Sequence, residues 1–259
     1  MPERVDGGNG ADDDGDEPQA PARPAMHLVP PLPAGGPDGG LALQGAARAT
    51  YRVLRFLLRL VMRAAFRIEV IGRENLPATG GFVLAPGGHR SILDTPVVSL
   101  VGPRVLRYMG AENYFKVPGL GWFLRAMGGF PVERSATDRQ ALRLAEWVLN
   151  NGEPLAVFPE GTRQQGPLIQ PLKEGAAFLA CRTGVPIVPV GIGGTERAMP
   201  KGAKYIRPRK VTMVIGPPIR PVTRAAGERV KRSEIRRVTQ ELHDSLQALF
   251  DEAQIRAGA

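Results

Sequence analysis

Cysteine is almost missing from this sequence. Cys181 is the only one among 259 residues, so no intramolecular disulfide can form and nothing demands an oxidising compartment. Histidine is nearly as scarce: His27, His89 and His243 stand far apart, and with no ligand spacing among them or to Cys181 they offer no metal site. Long apolar runs are lacking too, since no uncharged stretch reaches the roughly eighteen residues that a spanning helix needs. The first residues are acidic and glycine-rich where a secretory signal would carry a basic flank and an apolar centre, so a cytoplasmic protein is expected. No Gly-x-Ser-x-Gly elbow supplies an activated serine, which disfavours a serine hydrolase. There is no internal repeat.

Positive charge is what the chain has in surplus. The net charge is +9, and it is unevenly spread: the first forty residues hold eight acidic side chains against Arg4 and Arg23, which leaves the remainder at +15. A surplus of that size calls for an anionic partner, whether phospholipid, nucleic acid or a polyphosphate co-substrate. Residues 1–40 combine Gly, Pro, Ala and Asp with few large apolar side chains and are expected to be disordered. Residues 41–68 differ sharply. Arg48, Arg52, Arg55, Arg59, Arg63 and Arg67 recur three or four apart, one stripe on a helix otherwise filled by Val, Leu, Met and Phe. An arginine-only polar face is the composition of a helix lying among the headgroups of an anionic membrane, with Arg52, Arg55, Arg59 and Arg63 as its contacts. The alternative packs the helix against the rest of the protein, with the arginines as a solvated edge.

Beyond residue 68, apolar runs bounded by Gly and Pro alternate with helical patterns. The expected strands are 68–71, 82–85, 105–109, 155–158, 187–191 and 211–215. The expected helices begin at Asp94 and cover about 137–149, 174–183 and 233–253. This alternation predicts an α/β fold with a mixed, partly parallel sheet flanked by helices and preceded by the amphipathic helix. At 43% hydrophobic content, one sizeable core is within reach.

The segment Pro86-Gly87-Gly88-His89-Arg90-Ser91-Ile92-Leu93-Asp94-Thr95-Pro96 follows one of these strands and leads into a helix. On a continuous helix, residues five apart point about 140° away from each other. His89 and Asp94 therefore meet only if His89 lies in the loop and folds back over the helix start. The carboxylate would then hold one ring nitrogen and leave the other free to accept a proton from an alcohol. Read alone, Ser91-x-x-Asp94 serves equally well as a capping box beside an ordinary loop histidine.

Taken together, four ordered blocks resemble the glycerolipid acyltransferase family, which includes the 1-acylglycerol-3-phosphate and glycerol-3-phosphate acyltransferases. They are His89-x-x-x-x-Asp94, Gly128-Gly129-Phe130-Pro131-Val132-Glu133-Arg134, Phe158-Pro159-Glu160-Gly161-Thr162-Arg163 and Val185-Pro186-Ile187-Val188-Pro189-Val190. The resemblance covers about 72–218. It implies that His89 deprotonates the acceptor hydroxyl for attack on an acyl thioester, while Asp94 orients the ring. It further implies that Arg134 and Arg163, with Glu160, Gly161 and Thr162, form the site for the acceptor phosphate, a group that suits the guanidinium fork.

Lys173 lies in a stretch, 171–176, that resembles the family's lysine-glycine segment. With Lys201 and Lys204 it is a candidate for binding the donor; a solvated basic loop is the alternative for the cluster that includes Arg207, Arg209 and Lys210. Gly87-Gly88 departs from the polar residue that many relatives place before the histidine. Two glycines add backbone freedom and can turn their amides toward an oxyanion.

The expected organisation is a disordered tail over 1–40, an interfacial helix over 41–68 and a catalytic domain over 69–259. The expected partners are a membrane surface, an acyl donor (acyl-CoA or acyl carrier protein, with no cofactor) and a phosphorylated glycerolipid such as lysophosphatidic acid, at the cytoplasmic face of the cell membrane. No nucleic-acid module is present. A basic non-enzymatic binding protein would account for the charge but would leave the four blocks as coincidence.

Overall fold

The computed structural model describes residues 46–132, 138–200, 202–203, 205–222 and 228–258. The acidic segment 1–40, together with Arg134, Lys201 and Lys204, lies outside the described residues. In chain order the elements are α1 (Ala46–Phe66), β1 (Glu69–Ile71), β2 (Val83–Gly87), α2 (Asp94–Val98), β3 (Arg107–Ala111), α3 (Glu112–Phe115), α4 (Leu120–Ala126), β4 (Gly129–Val132), α5 (Asp138–Asn150), β5 (Leu155–Ala156), α6 (Gly175–Thr183), β6 (Ile187–Gly193), α7 (Thr195–Ala198), β7 (Thr212–Ile215) and α8 (Arg232–Arg256).

The strands form one seven-stranded sheet in the order β1-β7-β6-β2-β5-β3-β4. Every neighbouring pair is parallel except β6 and β7, so the sheet is mixed and mostly parallel. The central strands β2 and β6 are buried along their whole length, as expected of parallel strands covered on both faces. One face carries Leu84, Val188, Val190, Ile192, Met213 and Ile215 into a core closed by Phe66 of α1 and by Val97 and Val98 of α2. The intervening positions face α8, whose buried stripe runs Ile235, Val238, Leu242, Leu246, Phe250 and Ala253.

Gly191 and Gly193 decide how close α8 comes. A Cβ on Gly191 would lie 2.2 Å from the Leu249 carbonyl carbon, and one on Gly193 2.3 Å from the Ala253 oxygen. The helix thus rests directly on the sheet backbone, an approach only residues without a side chain allow.

One strand lies outside the expected set. β4 contains Gly129 and Pro131, residue types depleted in strands, but it is an edge strand bonded on one side only to β3, where proline is tolerated.

The arginines of α1 require a correction. Arg55 is 6% exposed, and its guanidinium donates to the carbonyls of Gly102, Pro103 and Arg104; Arg59 also donates to Gly102, at 2.9 Å. These two cations face the protein, not a headgroup layer. The physical reason is the loop before β3, which offers several carbonyls outside the sheet ladder that one five-donor fork can satisfy together. The opposite side of α1 presents Val53, Phe56, Leu57, Leu60 and Val61, each about half or more exposed. Their spacing is that of a single helical face. Arg63 is exposed, and the side chain of Arg52 lies outside the described set.

Candidate active site

Three neighbouring strands, β5, β2 and β6, end at the same edge of the sheet, and the loops that follow them meet there. The carboxyl ends of parallel strands are the usual place for ligand sites in such sheets. The loop after β2 brings His89 over the start of α2. His89 Nδ1 lies 2.8 Å from Asp94 Oδ2, and the same oxygen accepts the backbone amides of Arg90 and Ser91, each at 2.8 Å. Asp94 is fully buried. A carboxylate can only accept, so Nδ1 carries the proton and Nε2 presents a lone pair. Asp94 thus fixes the loop backbone and the imidazole at once; Ser91 forms no capping box, since its hydroxyl accepts the Leu93 amide (3.2 Å) and donates to the Met199 carbonyl (2.8 Å). The His89 side chain is 15% exposed, and its ring packs 4.3 Å from the ring of Phe158.

The loop after β5 supplies the second layer. Glu160 Oε1 accepts the amides of Gly88 (2.9 Å) and His89 (3.0 Å), while Oε2 accepts Arg90 Nη1 (2.9 Å) and the amide of Gln170 (3.2 Å). The amides of Gly88 and His89 therefore turn inward to a buried carboxylate. For Gly88 this corrects the expectation that its amide faces an oxyanion. The glycine at position 88 has φ +76°, and a Cβ there would lie 2.3 Å from the Phe250 ring, so the loop has room for no other residue. Arg90, Phe158 and Phe250 are site residues that sequence reasoning passed over. Nothing local in the sequence singles out Arg90, whose partner Glu160 lies seventy residues further on.

A family model described as Acyltransferase matches residues 67–193, a stretch that contains all of these loops. Residues 67–193 belong to the acyltransferase family. The chain is 31% identical over 143 residues to a chloroplastic 1-acyl-sn-glycerol-3-phosphate acyltransferase of Brassica napus, covering 54% of this chain and 41% of the relative. To the 1-acyl-sn-glycerol-3-phosphate acyltransferase of Bacillus subtilis it is 28% identical, covering 65% and 82%. The crystal structure of the 1-acyl-sn-glycerophosphate (LPA) acyltransferase PlsC from Thermotoga maritima superposes with a TM-score of 0.65 at 28% identity, over 80% of each chain. The chain spans less than half the length of the first curated relatives it matches.

Within the acyltransferase fold the remaining candidates lie as follows. Arg163 and Thr162 are exposed, and the next residue, Gln164, donates its amide to the His89 carbonyl at 2.8 Å, which holds this loop against the histidine. The Gly161 amide closes the turn onto the Phe158 carbonyl at 3.0 Å, and exposed Lys173 lies over that turn, its amide bonded to Pro159. Arg134 belongs to the stretch after β4 that lies outside the described residues. A cleft of about 720 Å³ opens beside Arg90, walled by Gln164, Pro167, Arg197, Phe250 and Gln254, a volume in the range of small-molecule sites. Among the described residues no cluster of three metal-ligating side chains occurs, and no helix is long and apolar enough to cross a membrane.

Proposed function

We propose that this acyltransferase moves a fatty acyl group from a thioester, acyl-CoA or acyl carrier protein, to the free hydroxyl of 1-acylglycerol 3-phosphate. The observation that carries this reading is the 2.8 Å contact between His89 Nδ1 and a buried Asp94 already gripped by two amides. With Nδ1 committed, Nε2 accepts the hydroxyl proton as the alcohol oxygen attacks the thioester carbonyl. The C–S bond then breaks, and the thiolate leaves with the proton returned from the imidazolium, so no acyl-enzyme forms. Exposed Arg163 takes the acceptor phosphate, a bidentate match of fork and oxygens, with Arg134 in the same role. Lys173, Lys201 and Lys204 serve the donor side. The names and coverage of the relatives support the acceptor class.

The enzyme works from the cytoplasmic face of the membrane as a peripheral protein. The apolar face of α1 enters the interface, so the lipid acceptor reaches His89 without leaving its leaflet. The test is transfer by purified protein in detergent, with a panel of labelled glycerolipid acceptors and both donor types. The expected result is turnover of lysophosphatidic acid that drops by about 10²–10⁴ in His89→Ala with the thermal melt unchanged. Full activity of a folded His89→Ala protein would eliminate the general-base mechanism.

A further inference from the structure

The structure assigns Glu160 and Arg90 to one device: a buried ion pair that positions the His89 loop and does not touch the acceptor phosphate. This rests on the proposed reaction for its kinetic readout. Glu160 sits on the third block, next to the arginine given to the phosphate, yet its side chain is 0% exposed and both oxygens are occupied. The Oε1 contacts come from two successive amides, Gly88 and His89, converging on one anion as in a backbone nest. That grip sets the backbone from which the imidazole projects.

Arg90 completes the device from the other side. Its guanidinium, 3% exposed, meets Glu160 Oε2 at 2.9 Å, the Leu168 carbonyl at 2.8 Å and the Gly166 carbonyl at 3.2 Å, and lies 5.1 Å from the centre of the Phe250 ring. With Nε, Nη1 and Nη2 each engaged, it has no free fork for a phosphate. Its charge balances Glu160 where water cannot, and its carbonyl bonds tie the 166–168 loop to the catalytic loop. The base is thus set by three separate segments, 88–90, 160 and 166–168, through contacts spanning more than seventy residues of chain.

Each single replacement leaves a buried charge without its partner, so the test uses Glu160→Gln, Arg90→Met and the double variant. A displaced base costs rate rather than affinity. We expect kcat to fall about 10²-fold while the KM for lysophosphatidic acid stays within about threefold. The double variant should lose no more than the worse single one, because the two residues act as a unit. In ¹⁵N spectra of the imidazole in detergent, the His89 Nδ1–H signal bonded to Asp94 should be shifted or lost in all three. An acceptor KM raised tenfold or more with kcat retained would return Glu160 to the phosphate site and overturn the assignment, as would unaltered kinetics. If a single variant fails to fold, the charge-free double variant carries the same readouts. If wild-type protein does not acylate lysophosphatidic acid, the acceptor reading falls alone; an unchanged His89 signal in the folded variants then overturns the positioning role independently.

Discussion

Asp94 Oδ2 accepts from an imidazole nitrogen and two backbone amides, three donors on one oxygen. Replacement by asparagine keeps the shape but removes the charge that obliges Nδ1 to be the donor. Asp94→Asn should therefore cost as much rate as losing the base, about 10²–10⁴, measured as kcat beside a thermal melt that shows the protein folded. Arg163 is the opposite kind of residue: exposed, and able to meet phosphate in ground and transition states alike. Arg163→Ala should raise the acceptor KM by about tenfold or more and leave the donor KM nearly unchanged; the reverse pattern would move it to the thioester. The five-residue spacing of His89 and Asp94 allowed a meeting at a loop-helix junction but left a capping box equally open, and it was the resemblance of the four ordered blocks that singled out the pair. Arg90 was not singled out, since nothing local distinguishes an arginine that reaches solvent from one aimed at a carboxylate seventy residues away.

At the scale of the element, α1 makes two separable predictions. Arg55 donates to three loop carbonyls from a buried position, so Arg55→Glu would set a carboxylate against acceptors and should lower the melting temperature. Phe56→Ser with Leu60→Ser alters only the exposed face. Those changes should leave the melt in place and release the protein from phospholipid vesicles, read by co-sedimentation; undiminished binding would remove α1 from the membrane contact. The amphipathic period of this helix was legible, but which face turns inward was not, because arginine and leucine can each pack against a protein if the partner surface offers carbonyls or carbon. α8 tests close packing. Gly191→Ala should destabilise the fold by about 1–3 kcal/mol through overpacking against the Leu249 backbone, seen as a fall of about 2–4 °C in Tm per kcal/mol.

For the whole molecule, charge and apolar surface act over different distances. On the proposed membrane role, the +15 surplus outside the first forty residues is what draws the enzyme to an anionic bilayer, and the Debye length shrinks from about 10 Å at 0.1 M salt to about 3 Å at 1 M. Binding to anionic vesicles should weaken across that range without vanishing, since the α1 face stays apolar; complete release at high salt would mean that electrostatics alone holds the protein.

Periods of 2 and 3.6 residues are local properties, and so the alternating elements and the α/β class were readable along the chain, while the histidine-aspartate pair was singled out by the resemblance of the ordered blocks. Strand order is not local. It is the placement of β2 between β5 and β6 that brings Glu160 beneath the His89 loop. It is likewise the edge position of β4 that makes a Gly- and Pro-containing segment a strand. The orientation of α1 follows from carbonyls at 102–104, some fifty residues away. Each of these outcomes depends on which distant groups need a partner once the sheet has formed, information that no window of neighbouring residues contains.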